Sequence, residues 1–296
     1  MKVDVWLSRY SIRSMICGCI DLRIIIRWTP QSILRRLFFL VKCEELVSNL
    51  PPLLMIMPQL PKLEVCLSPA LLHLYNPEET ITVIIDVFRA TSTIVAALDN
   101  GASRVIPVSA VDECIRIGKE IENSITAGER DGKVAEGLQH GNSPLEYPKE
   151  FIQGKTLVLT TTNGTRLLHM VKGADSIVIG SFLNLTAICK CLIAQQKPVL
   201  LGCAAWKDRF NLEDTLFAGA VVNRVAEHFS IQCDSARAAR TLEAQTQGKY
   251  LEYLKDSSHY HRLAAYGLLK DLEYCITPDL HPVVPILNGN ELIVNA

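Results

Sequence analysis

From residue 62 onward, short apolar runs rich in β-branched residues alternate with helical patterns, and this alternation leaves few folds open. Strand-like runs lie near 63–67, 81–87, 103–108, 156–161, 176–180 and 198–203. Helical periodicity lies near 90–100, 111–122, 164–172, 184–195 and 213–229. Strands that alternate with helices predict an α/β domain, three-layer α/β/α, with a mainly parallel or mixed sheet covered on both faces. In such sheets ligands gather in the loops beyond the carboxyl ends of the strands. The residues at the strand ends are therefore the ones to read for chemistry.

The second run, "TVIIDVFRATSTI", ends on an acid. Asp86 closes an apolar strand, where a carboxylate can hold a hard cation such as Mg²⁺. The plainer reading makes it a turn cap paired with Arg89. Thr91 and Ser92 suit the start of the following helix, where anions are attracted. The same geometry recurs in "TLVLTTTNGTR". Thr160, Thr161 and Thr162 end a strand, Asn163-Gly164 turns, and Thr165-Arg166 opens a helix. Free amides and hydroxyls there would cradle an oxyanion. A simple strand–turn–helix with an Asn/Thr cap would look much the same.

Between them, "ITAGERDGKVAEGLQHGNSPLEY" reads as a long polar loop with glycines at 128, 132, 137 and 141. Glu129 and Arg130 sit at its start. Asn142 could serve a ligand, and Ser143 to Glu146 reads as a capping box with Pro144 at the first helical position. After the last strand, "CAAWKDRFNLEDTLFAGAVV" holds two signals. Cys203 and Arg209 have the C-x5-R spacing of cysteine phosphatases, but no glycine lies between them and Phe210 stands where a hydroxyl would be expected. Glu213 and Asp214 are either metal ligands or first-turn acids that complement the helix dipole. Ala218-Gly219-Ala220 predicts close packing of that helix against a neighbour.

Composition excludes several classes. The formal net charge of −1 provides no global field for nucleic acid or an acidic membrane. Neither a G-x-x-x-x-G-K-[ST] nor a G-x-G-x-x-G motif occurs, so nucleotide P-loop and dinucleotide folds lack support. Ten cysteines are scattered, with C-x-C pairs at 17/19 and 189/191, and read as reduced thiols in a cytoplasmic protein. Residues 1–56 differ from the rest. They carry eight Lys/Arg against four Asp/Glu, about +4, whereas residues 57–296 are near −5. Their apolar clusters are broken by arginines before reaching the length of a spanning helix. A membrane-surface helix near 31–44 and a mitochondrial-type presequence are weaker readings than an N-terminal extension, a mis-assigned start, ahead of a domain beginning at Met57.

Seven stretches in register, "DVFRATSTIVAALDNGA", "AGER", "GNSPLEY", "TTNGTR", "GSFLN", "CAAWKDRFNLEDTLFAG" and "SSHYHRL", resemble the 2-phosphosulfolactate phosphatases, the ComB family. The resemblance runs from about residue 63 to the C-terminus, and residues 1–56 have no counterpart in it. It implies Mg²⁺-dependent hydrolysis of 2-phospho-3-sulfolactate to 3-sulfolactate and phosphate, a step toward coenzyme M. One departure is "CAAWKDRF", less glycine-rich than the family's stretch, which bears on loop shape rather than reaction class.

The implied roles follow. Asp86 and Arg89 are the catalytic candidates, and Asp86, Glu213 and Asp214 the metal ligands. Thr91, Ser92, Glu129, Arg130, Asn142, Thr161, Thr162, Asn163, Gly164, Thr165, Arg166, His259 and Arg262 are the substrate-binding candidates, with Arg209 a further cation. "DVFRAT" is similar to the D-x-D-x-T of haloacid-dehalogenase-like phosphatases, but Phe88 replaces the second acid, so metal-activated water is the preferred nucleophile. The expected partner is a small anionic phosphate ester, with no nucleic acid and no membrane span, and a homodimer is an assembly to test. The alternatives are a phosphatase for another small phosphorylated hydroxy acid and a non-catalytic anion-binding protein on the same fold.

Overall fold

The computed structural model describes residues 59–130 and 133–294, all within the unit Pro58–Ala296. The expected extension 1–56, its surface-helix and presequence readings and the start at Met57 lie outside the described residues. Among the described residues ten strands form one sheet. They are β1 (Leu63–Cys66), β2 (Ile81–Ile85), β3 (Arg104–Val108), β4 (Ser124–Arg130), β5 (Lys133–Val134), β6 (Thr156–Thr160), β7 (Ser176–Gly180), β8 (Val199–Cys203), β9 (Ile286–Asn288) and β10 (Glu291–Ile293). Helices α1 (Ala90–Asp99), α2 (Val111–Glu120), α3 (Lys149–Ile152), α4 (Gly164–Met170), α5 (Leu185–Gln195), α6 (Leu212–Val225) and α7 (Asp234–Thr246) follow in chain order. Then come α8 (Tyr250–Leu254), α9 (Ser258–Ala265) and α10 (Leu269–Cys275). The three-layer α/β reading holds, with a mixed sheet.

The strand order is β1-β8-β2-β7-β9-β10-β3-β6-β4-β5. Two parallel blocks, β1-β8-β2-β7 and β3-β6-β4, flank the β9–β10 hairpin. The three contacts across the hairpin, β7–β9, β9–β10 and β10–β3, are all antiparallel. The blocks therefore run in opposite senses. Twist reduces the angle between them. At a usual ~20–25° per step, the five steps from β2 to β6 turn opposite directions to roughly 55–80° apart. Ile84 of β2 and Leu157 and Leu159 of β6 nevertheless share one buried cluster, and Gly164 after β6 lies against Asp86 after β2.

Burial follows the alternation of side chains along the strands. Every residue of β2 is buried, as suits the centre of a parallel block. Val83 and Ile85 join the core under α5 and α6, whereas Ile84 faces α1 and α4. Leu157 and Leu159 of β6 enter that second core, so both blocks put a face on it. Gly219 lets α6 approach α7, because a Cβ there would lie 2.2 Å from the Ala239 carbonyl oxygen. This bears out the reading of Ala218-Gly219-Ala220.

Segment 125–147 departs from expectation, since its first part is strand β4 rather than loop. Gly128 caused the misreading. A Cβ there would lie 2.3 Å from the Thr160 carbonyl oxygen, so glycine serves close strand contact rather than a turn. Ser143 caps a short 3-10 turn over Pro144–Glu146 by accepting the Leu145 amide. The Glu146 carboxylate accepts from Gly141 N–H, so it supports the preceding turn rather than closing a capping box. Among the described residues no helix is long and apolar enough to cross a membrane.

Candidate active site

Asp86 leaves the end of β2 into a loop that is stitched tightly to α1. Its own N–H donates to Thr91 Oγ1, and the Thr91 N–H donates to the Asp86 carbonyl. Ser92 Oγ donates to the Val87 carbonyl. The hydroxyls of Thr91 and Ser92 thus shape the loop and are buried, rather than facing an anion as expected. Arg89 stands at the head of α1, and its guanidinium pairs with Asp271 of α10. The expected Asp86–Arg89 pair is replaced by this buried one, because α10 packs over the loop.

The Asp86 carboxyl is raised to about 6, chiefly by burial and further by Glu129 and Glu213, with His259 pulling the other way. Such a carboxylate is poorly solvated, and His259 and the Ala90 N–H offset only part of the cost of its charge. On α6, Glu213 and Asp214 differ in role. Asp214 accepts Val87 N–H at 2.9 Å and Ala205 N–H at 3.2 Å, one on each carboxylate oxygen. It ties the loops after β2 and β8 together, so each of its oxygens already serves a backbone amide. Burial, Glu213 and Asp86 push its carboxyl well above the usual range. Glu213 Oε1 meets His259 Nδ1 at 2.5 Å, while its Oε2 is buried without a partner. The carboxylate fixes the imidazole, which lines the pocket beside Asp86.

The opposite block contributes the other wall. Glu129 from the end of β4 accepts the Thr162 N–H and hydroxyl at 3.2 and 3.1 Å. Thr161, Thr162 and Asn163 line the pocket after β6, and Asn142 adds a buried side chain whose Oδ1 has no partner. Gly164 brings the blocks into contact, because a Cβ there would lie 2.9 Å from Asp86 Oδ2. Thr165 is turned inward, its hydroxyl bonded back to the Thr161 carbonyl. Arg130 donates to Thr160 Oγ1 and lies behind the wall. The narrow pocket between the two blocks measures about 70 Å³ and gathers Asp86, Arg89, Glu129, Asn142, His259 and Arg262.

The loop after β8 adds to the pocket wall, and the residues that line it there escaped the sequence reading. Trp206 and Lys207 of this loop line the pocket, as does Tyr266 after α9. Ala205, Lys207 and Asp208 take left-handed backbone angles, φ 57°, 50° and 62°. Side-chain residues resist that region by roughly 1 kcal/mol each, so the loop needs anchors. Ser68 Oγ donates to the Asp208 carbonyl at 2.8 Å, and Arg166 pairs with the Asp208 carboxylate at 2.9 Å. Arg166, expected on substrate, instead pins this loop. Reciprocal Trp206–Arg209 backbone bonds close the turn. No sequence signal announces these angles, because glycine, the usual residue in that region, is absent from "CAAWKDRF".

The C-x5-R reading loses its nucleophile. Cys203 is fully buried in β8, and burial pushes its thiol well above 9.0, so no thiolate forms near neutral pH. A hard cation fits the acid end better. Glu213 Oε2 and Asn142 Oδ1 are buried oxygens without a hydrogen-bond partner, and the Asp86 carboxylate, held by the Ala90 N–H and facing His259, is buried beside Glu129 and Glu213. Among the described residues no three His, Cys, Asp or Glu side chains are set to hold a metal ion. Mg²⁺ ordinarily takes one or two carboxylates and completes its shell with water and substrate phosphate, so this sparse set suits it.

A family model described as 2-phosphosulpholactate phosphatase matches residues 66–290. A protein of Thermotoga petrophila is 47% identical over 216 residues, which cover 72% of this chain and 92% of the relative. One from Thermotoga maritima is 45% identical over 216 residues, with the same coverage. One from Caldanaerobacter subterraneus is 36% identical over 215 residues, 72% of this chain and 89% of the relative. Each of the three bears the name probable 2-phosphosulfolactate phosphatase.

Proposed function

The chain belongs to the 2-phosphosulpholactate phosphatase family, and on that premise we propose that it hydrolyses 2-phospho-3-sulfolactate to 3-sulfolactate and phosphate. It is then a phosphoric monoester hydrolase, working with Mg²⁺ at a step of the coenzyme M type. The observation that carries the reading is the pocket where the two opposed blocks meet. It sets the buried Asp86 against Arg89 and His259, within the matched span.

Asp86 would hold Mg²⁺, with Glu213 Oε2 and Asn142 Oδ1 as the nearby oxygens that lack partners. When bound, the ion supplies charge neutralisation and polarisation of the phosphate. The protein's own groups do the rest. Arg89, held by Asp271, presents a fixed guanidinium to phosphate oxygens. His259, with Nδ1 committed to Glu213, orients its ring against the substrate. Thr161 and Thr162 border the space with hydroxyls and amides. Asp214 keeps the loops of β2 and β8 in register so that these groups stay in place.

The test is phosphate release from 2-phospho-3-sulfolactate beside 2-phospholactate and common phosphate esters, with Mg²⁺ and with chelator. Preferential, chelator-sensitive release from the sulfonated ester is expected. Preference for a different phosphorylated hydroxy acid would reassign the substrate, and no release from any ester would leave an anion-binding protein.

A further inference from the structure

Arg89 is a buried cation of the pocket, yet it does not meet a ligand as an unbalanced charge. Its Nη1 donates to Asp271 Oδ2, the one hydrogen bond that the guanidinium makes among the described residues. Both side chains are almost fully buried, 5% and 8% exposed. None of the other guanidinium nitrogens is buried without a partner, and Arg89 lines the pocket, so its remaining N–H groups open on the pocket. Asp271 lies behind it, on α10 and outside the pocket lining. A ligand therefore meets the N–H fork of Arg89 but not the carboxylate that balances it.

That carboxylate is held in place by the docking of α10 along α1. At the head of α1, Asp271 pairs with Arg89. One turn further on, the Cys275 thiol lies against the Ser92 hydroxyl. At the tail of α1, Asp99 Oδ2 meets His281 Nδ1 at 2.7 Å, and His281 Nε2 meets the Tyr274 hydroxyl at 2.6 Å. Asp271, Tyr274 and Cys275 have the i, i+3, i+4 spacing of one helix face. Asp271 is thus fixed beside Arg89 whether or not an anion is bound. In such a pair the two opposite charges largely cancel at the distance of a ligand. Arg89 then grips an anion by the geometry of its fork, with much of its net charge already offset.

The offset matters because product and substrate share the same group. Inorganic phosphate contacts whatever the phosphate of the ester contacts. A full positive charge there would bind both alike, and uniform binding does not raise kcat once the site is filled. We infer that Asp271 is a positioning residue that, acting through Arg89, weakens the hold of the site on phosphate and so lets the product leave. This rests on the phosphatase reading for Arg89 as a contact of the phosphate.

The test is Asp271→Asn, which keeps the shape and an acceptor for Arg89 but removes the charge. Inorganic phosphate is the probe, titrated by calorimetry at constant Mg²⁺ and used as an inhibitor of ester hydrolysis. The variant is expected to bind phosphate roughly 10-fold more tightly. Its inhibition constant and KM should fall in step, with kcat lowered by slower release. It should melt below wild type without phosphate, because a buried guanidinium is left uncompensated, and phosphate should raise its Tm by more than that of wild type. Weaker or unchanged phosphate binding would overturn the assignment, as would a raised KM, because Asp271 would then only hold the guanidinium in place. On an Arg89→Gln background, where the cation is already gone, the same change should again tighten phosphate. That pair carries the comparison if the single variant does not fold, and no tightening there would also overturn the assignment. If wild type releases phosphate from no ester, the phosphatase reading fails, and the phosphate titrations alone decide the role of Asp271.

Discussion

Replacing Asp86 with Asn keeps the shape of the side chain and removes its charge. Burial raises the Asp86 carboxyl from 3.8 to about 6. Keeping it ionised at about pH 7.5 without metal therefore costs the folded state roughly 3 kcal/mol. The direction with pH is set by proton binding. The folded protein holds this proton more tightly than the unfolded chain, so the favourable contribution is complete below pH 3.8 and is lost as pH rises to about 6. The substituted amide brings its own unmet hydrogen bonds, at about 1 kcal/mol. The net gain for Asp86→Asn in chelator at about pH 7.5 is then about 1–3 kcal/mol, or roughly 3–10 °C in Tm for a domain of this size.

Melting curves by circular dichroism in chelator, at about pH 7.5 and about pH 4, measure the effect directly. The variant should melt higher than wild type at the upper pH, and the difference should close at the lower one. Added Mg²⁺ should raise the Tm of wild type alone, and phosphate release by the variant should be lost. A variant that melts well below wild type in chelator would refute the reasoning, because Asp86 would then be a structural cap or ion-pair partner. Normal Mg²⁺-dependent turnover by the variant would put the metal elsewhere.

Cys203→Ser should keep activity within a few-fold, because the buried thiol is not a nucleophile; a trapped phosphocysteine would show otherwise. Asp214→Ala strips the partner from two buried amides, Val87 and Ala205, and relief of acid repulsion offsets only part of that. At about 1–3 kcal/mol per orphaned amide, a Tm drop of at least ~5 °C is expected, and a wild-type melt would remove its role as a tie. Gly164→Ala puts a methyl 2.9 Å from Asp86 Oδ2 and 3.0 Å from the Ala90 Cβ. It should lower kcat by displacing Asp86, with a stability loss of roughly 1–3 kcal/mol; unchanged kinetics would mean that the carboxylate's position is not critical.

Much of this protein is local and therefore legible in sequence. The runs at 81–87, 156–161, 176–180 and 198–203 announce buried strands because β-branched, mostly apolar segments suit the centre of a parallel block. The acid after β2 and the Thr-Asn-Gly turn after β6 announce the two loops that line the pocket, because nothing in strand packing requires them. The pairings that give those loops their meaning are not local. Glu213 and His259 are 46 residues apart, and Arg89 and Asp271 are 182 apart. Periodicity reports which face a residue takes, not which distant residue it meets. Arg166 and Asp214 have the residue types of ligands, yet neighbouring chain claims them as a loop anchor and an inter-loop tie. Strand alternation also suggests one parallel sheet with one active edge. The hairpin Ile286–Ile293 instead inverts half of it, yet Gly164 after β6 lies against Asp86 after β2. Sequence determined the strands and the reactive loops; the packing of both blocks around one core, a contact between residues distant along the chain, decided that they share a site.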